Sequence, residues 1–147
     1  MKKTIYLVLL ASSLLFGMQR GDILSSSTLK ALHIGKRGTY VIDFFASWCH
    51  SCSVEMPQLS KLHRSGRVKV IGVDIDQKPS DAKKFQSRMR KAHKLSFAVV
   101  NDPKGNIIKR FDPPGVPALY IIKNGKIIGV EIGAKSHIDK RMLGYLK

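Results

Sequence analysis

Val41-Ile42-Asp43-Phe44-Phe45-Ala46-Ser47-Trp48-Cys49-His50-Ser51-Cys52 is the stretch that decides how this chain folds. Its first half is β-branched and aromatic with a single acid, Asp43, the composition of a buried strand. Its second half holds both cysteines of the chain, close enough to share one disulfide. From Ser51 to His63 the apolar positions Val54, Leu59 and Leu62 recur at near-helical spacing, so the stretch predicts strand, tight turn, helix. Cys49 then stands at a helix N-terminus, where unpaired amides and the helix dipole favour an anion and promote the thiolate, the nucleophilic form of cysteine. His50, when protonated, would place a further positive charge beside it.

Three readings of the pair are open at this point. As a staple it is weak, because closing so short a loop removes only about 2 kcal/mol from the unfolded state, against about 3 for fifteen residues. Structural zinc asks for four Cys or His ligands, and His33, His50, His63, His93 and His137 offer no second ligand pair at close spacing. Reversible thiol-disulfide exchange asks for what is present: two neighbouring thiols, one of them at a helix start.

Outward from that centre, Ser25-Ser26-Ser27-Thr28 opens a short helix expected to reach about His33 and stop at Gly35. Val68 to Ile75 predicts a second strand, and Gln77-Lys78-Pro79-Ser80-Asp81 turns into a basic amphipathic helix reaching about Lys94. Phe97 to Val100 predicts a short third strand, while Gly105 to Phe111 reads equally as helix or strand. Ala118 to Ile122 and Lys126 to Glu131 flank Lys123-Asn124-Gly125, and Asn-Gly suits the tight primed turn of a hairpin. A last helix is expected from about His137 to Leu146. Strands alternating with helices and closing on a hairpin imply an α/β fold, a central mixed sheet flanked by helices.

The 147 residues suit one domain. Met1-Lys2-Lys3, followed by Thr4 to Met18 almost without charge, matches the charged and apolar parts of an export signal. Residues 1–20 are therefore expected to be a signal peptide, with an uncleaved membrane anchor as the alternative, and residues 21–147 the folded domain. The apolar run is short against the roughly 20 residues that a membrane span needs. A periplasmic or exported location follows. Net charge is +16, from 26 Lys and Arg against 10 Asp and Glu, and stays at +13 with Lys2, Lys3 and Arg20 set aside. Such a surface favours anionic partners. The cations are nonetheless spread along the chain, and the densest run, Lys83 to Lys94, interleaves one aromatic, Phe85. That argues against nucleic acid, which prefers a patch or a stacking platform, and leaves weak contact with a membrane surface or acidic proteins, or a general basic bias that serves no partner.

Taken in order, Val41 to Cys52, then Pro57, then Gly115-Val116-Pro117, then Lys123-Asn124-Gly125-Lys126 resemble the thioredoxin fold over roughly Thr39 to Lys147. Cys52-Ser53-Val54-Glu55-Met56-Pro57 looks like the active-site helix of the TlpA, ResA and CcmG group of exported thiol-disulfide oxidoreductases. The long passage from Pro79 to Asp112 matches the helix and strand that this group inserts. The resemblance implies an enzyme that reduces disulfides in periplasmic partner proteins, often those of cytochrome c maturation, and draws electrons from a membrane thiol-disulfide donor. A monomer is expected, with no metal and no cofactor beyond a redox-active Cys49–Cys52 disulfide. A disulfide-forming oxidase or isomerase of exported proteins is one alternative, and a non-catalytic metal-sequestering module is another.

By the same resemblance Cys49 is the exposed attacking thiol and Cys52 the resolving one. Pro117 is a cis proline facing the pair, and Val116 offers a backbone edge to the substrate strand. Trp48 shields the site, unless it merely packs. Asp43 is the buried acid beneath the cysteines that exchanges a proton with Cys52. Glu55 is the acid kept near the same thiols, unless it is a solvated residue of the first helical turns. The chain departs from the pattern between the cysteines, where His50-Ser51 replaces the Gly-Pro of thioredoxins and the proline that reductants of the group place before the second cysteine. The redox potential is therefore not inherited from either group.

Overall fold

A computed structural model describes residues 17–147, so the expected signal segment lies, through residue 16, outside the described residues. Ten elements follow in order: α1 (Ser26–Ala31), β1 (Thr39–Phe45), α2 (His50–Arg64), β2 (Lys69–Asp74), α3 (Pro79–Lys91), β3 (Ala98–Asn101), α4 (Ile108–Phe111), β4 (Ala118–Lys123), β5 (Lys126–Ile132) and α5 (Ile138–Leu146). The five strands form one sheet in the order β3-β2-β1-β4-β5. β1 runs parallel to β2, and β2 to β3. β4 runs antiparallel to β1 and to β5. The apolar run Tyr40 to Phe45 thus takes the centre, where both faces of a strand are covered. This is the expected mixed sheet, and α3 with β3 is the expected helix–strand insertion.

Alternation along β1 divides the core in two. Val41 and Phe45 face a cluster that contains Cys52, Met56 and Leu59 of α2, Phe85 and Met89 of α3, and Ile138 and Met142 of α5. Ile42 and Phe44 face the opposite cluster, with Leu29 of α1, Phe111 of α4 and Tyr120 of β4. On that second face Phe44, Phe111 and Tyr120 stack mutually, with ring centroids 4.8 to 5.8 Å apart. Asp43 belongs by parity to the α2 side. Its neighbours across the sheet are Gly72 on β2 and Leu119 on β4.

Element boundaries moved where no glycine stands at the helix end to mark them. α1 stops at Ala31 and α3 at Lys91, each two or three residues before the expected end. The left-handed residues just beyond are His33 and His93, with φ of 54° and 57°. Polar side chains adopt that conformation less readily than glycine, which is why glycine is the usual signal. The ambiguous segment after Gly105 resolves as the single turn α4, whose first amides are met by the Asp102 carboxylate. The hairpin forms as expected, with Asn124 and Gly125 both at positive φ (52° and 78°).

Residues 17 to 24, for which the sequence predicts no element, lie along the domain. Met18 N–H donates to the Phe111 carbonyl at 2.8 Å, Gly21 N–H to Ile127, Ile127 N–H to Asp22, and Leu24 N–H to Gly125. Leu24 is buried in the second cluster. Among the described residues no helix is long and apolar enough to cross a membrane.

Candidate active site

β1 ends at Phe45, and the chain crosses Ala46-Ser47-Trp48 to reach Cys49, the N-cap of α2. The crossing is held from the side. Both carboxylate oxygens of Asp76 are engaged by Ser47, one accepting its backbone N–H and the other its hydroxyl, each at 2.9 Å. Asp76 is itself placed by its N–H donating to Asp74 Oδ1 at 3.0 Å. Neither acid was singled out in the sequence. An Asp two residues beyond another, where an apolar strand run ends, is the signal that could have found them.

Cys49 and Cys52 form a disulfide with their Cα atoms 5.3 Å apart. Cys49 is 7% exposed and Cys52 2%, so both are buried, and Cys49, expected to be the exposed thiol, is only the more accessible of the two because it stands at the helix start while its side chain packs into the core. Cys52 N–H donates to Cys49 Sγ at 3.3 Å, which is the N-cap bond of α2. Ser51 Oγ lies 3.6 Å from the same sulfur. These groups, with the helix dipole behind them, stabilise negative charge on Cys49 when the disulfide opens. Ser51 was read in the sequence only as a departure from the family pattern. Among the described residues its hydroxyl is the one polar side-chain group within hydrogen-bond reach of that sulfur.

Asp43 is 2% exposed. Burial pushes its carboxyl well above the usual carboxylate range, and the negative Glu55 nearby pushes the same way. Glu55, on the second turn of α2, is also only 2% exposed, which removes the solvated alternative. One oxygen, Oε2, accepts the Lys135 N–H at 2.9 Å, while Oε1 is buried with no hydrogen-bond partner. Burial raises the Glu55 carboxyl too. Lys135 opposes this through its amide and its charge, and Glu131 reinforces it. Two acids on the α2 side of the sheet are therefore both biased toward keeping a proton.

Val116-Pro117 is a cis peptide bond. Val116 packs against the cluster that contains both cysteines, and the Pro117 carbonyl accepts the Gly133 N–H at 2.9 Å. Trp48 is 69% exposed, outside the packed core. It immediately precedes Cys49 in the chain. Val54, which the sequence placed on the apolar face of α2, is 58% exposed. The buried face runs instead through Cys52, Glu55, Met56, Leu59 and Leu62, and Val54 points away from it. His50 is exposed at the first position of α2. Among the described residues there is no cluster of three or more His, Cys, Asp or Glu that could hold a metal ion.

The sequence pattern of the AhpC/TSA family matches residues 16–130. Sporulation thiol-disulfide oxidoreductase A of Bacillus subtilis (strain 168) is 29% identical over 97 residues, 63% of this chain and 58% of that protein. Thiol-disulfide oxidoreductase ResA of Bacillus thuringiensis subsp. konkukian (strain 97-27) is 32% identical over 91 residues, 59% of this chain and 50% of that protein. Among solved structures, StoA from Bacillus subtilis superposes with a TM-score of 0.63 at 25% identity, covering 77% of this chain and 85% of that one. The chain spans about half the length of the curated relatives it matches.

Proposed function

The chain belongs to the AhpC/TSA family, and from that membership we propose that it is an exported thiol-disulfide oxidoreductase that reduces disulfides in periplasmic partner proteins. One observation carries the reading. The Cys49–Cys52 disulfide caps α2 with the Cys49 sulfur facing hydrogen-bond donors, an arrangement for turnover, since so short a loop adds little as a staple.

In the proposed cycle the Cys49 thiolate attacks one sulfur of the partner disulfide. That bond breaks, a mixed disulfide forms, and the released partner thiolate takes a proton. Cys52 then loses its proton, to Asp43 in its charged form or to water, and attacks Cys49 Sγ. The Cys49–Cys52 disulfide forms and the second partner thiolate leaves. Two electrons have passed to the partner, and an external dithiol, in this reading a membrane donor, restores the pair. Glu55 supports the same proton transfer, and Val116 with Pro117 lines the edge where the partner strand lies. The resemblance of the active-site helix to the TlpA, ResA and CcmG group extends the proposal to substrates among cytochrome c maturation proteins.

A second reading, disulfide formation in exported proteins, is favoured by Ser51. A hydroxyl beside Cys49 stabilises the reduced form and moves the pair toward oxidising potentials. Strong oxidants lie near −120 mV and thioredoxin near −270 mV. A redox titration of the pair separates the two readings, and a potential above about −180 mV would overturn the reductant. Insulin reduction driven by dithiothreitol tests the enzyme itself. Cys49→Ser should abolish turnover, and equal activity of the variant would refute catalysis by this pair.

A further inference from the structure

Trp48, the residue before Cys49, lines an open groove. The rest of its lining comes from Ile75 and Gln77 just after β2 and, within the insertion, from Pro103, Lys104, Ile108 and Lys109. Both sides are fixed. The Trp48 side is tied to the end of β2 by Asp76 on Ser47. The opposite side is tied by Asp102, whose carboxylate accepts the Ile107 and Ile108 amides at 3.0 and 2.9 Å and whose own N–H donates to the Asp74 carbonyl. Gly105 takes the positive φ of 67° that turns the rim.

The charge at this groove is one-sided. Lys104 and Lys109 are exposed, and Lys109 Nζ donates to the Lys104 backbone carbonyl at 3.4 Å, which holds that ammonium over the turn from which Lys104 projects. Among the described residues both ion pairs are made by Glu131, far along the chain, so neither lysine is neutralised. The carboxylates of Asp74, Asp76 and Asp102 are buried and committed to the hydrogen bonds already given. Asp112 lies past the far end of α4.

Resting on the thiol-disulfide reading, we infer that this groove selects the partner: a protein disulfide flanked by an apolar side chain and by carboxylates. The apolar residue lies on Trp48, Ile75 and Ile108, and the carboxylates meet Lys104 and Lys109. Burying an exposed tryptophan and apolar floor supplies attraction. The two cations supply selection between partners and faster encounter, an effect that salt weakens.

The test uses the reduced full chain and two cyclic disulfide peptides of equal length, each with leucine beside a cysteine, one flanked by aspartates and the other by lysines. Rates are read from the fluorescence of Trp48, the chain's single tryptophan, and each is divided by the same protein's rate on neutral hydroxyethyl disulfide. The acidic peptide should react at least about fivefold faster than the basic one at low salt, with the ratio collapsing by about 0.5 M salt, as expected for about 0.5 kcal/mol per exposed lysine. Lys104→Glu/Lys109→Glu should invert the preference. Lys84→Glu/Lys91→Glu, an equal charge change on α3, should leave it in place. Equal rates for the two peptides, or an equal loss in both double variants, would overturn the inference while leaving the redox reading intact. Failure to reduce even hydroxyethyl disulfide would instead take down the redox reading and the inference with it.

Discussion

Replacing Asp43 by asparagine should change how stability depends on pH, and in a calculable direction. The Asp43 carboxyl is raised by burial and by Glu55. Between its ordinary value and its folded value the unfolded chain has released the proton while the fold retains it. Stability therefore falls as pH rises through that window, and the full cost is present above it. One proton limits the slope to about 1.4 kcal/mol per pH unit. With a urea m-value of about 2 kcal/mol/M for a domain of this size, the unfolding midpoint drops by at most about 0.7 M per pH unit. An amide in place of the carboxyl has the shape of the protonated acid and never charges. The oxidised Asp43→Asn variant should match the parent near pH 4 and exceed it at pH 8. His63 contributes with opposite sign, since burial lowers it and stability is gained as pH rises toward 6.5, and raised acids such as Asp74 add to the fall. Both are common to the two proteins and cancel in the difference. Urea titrations from pH 4 to 8, with the disulfide intact, measure it. Parallel curves for parent and variant would refute the claim that Asp43 carries the proton.

Gly72→Ala should destabilise, because a Cβ there would sit 2.7 Å from Phe45 Cε1 and 3.1 Å from Phe97 Cε2. A loss of about 1–3 kcal/mol, seen as a Tm lower by roughly 5–10 °C in thermal circular dichroism, is the expected result. Asp76→Ala removes two hydrogen bonds to Ser47, and about 2–3 kcal/mol with them. Hydrogen exchange at Ser47 and Trp48 should accelerate ahead of the sheet, and unchanged protection would sink that assignment. Ser51→Ala withdraws a donor from Cys49, so the reduced variant should alkylate with iodoacetamide about fivefold more slowly at pH 6, the equivalent of one hydrogen bond of about 1 kcal/mol.

What the sequence made legible was local. β1, the cysteine turn and the Asn124-Gly125 hairpin each carry their instruction within a few residues, and each formed where expected. Asp43 was legible because an acid inside an apolar strand is costly without a purpose. The acids Asp74, Asp76 and Asp102 were not, because their work is to receive amides from residues brought near only by the fold. The same holds for Ser60, whose hydroxyl donates to the Lys94 carbonyl and accepts the Ser96 N–H, fastening the insertion to α2. Val54 was misassigned because near-helical spacing tolerates a position about 100° off the buried stripe.

The backbone laid by Gly21 to Leu24 against β5 bears on how the protein behaves in a crowd. An open sheet has two edges, and each can recruit a strand from another molecule into a growing aggregate. Gly21, Asp22 and Leu24 occupy amides and carbonyls of Ile127 and Gly125 that a foreign strand would otherwise seek. At the other edge β3 is only four residues long, too short to template much. The chain thus covers the start of one border with the segment before α1 and keeps the other border short.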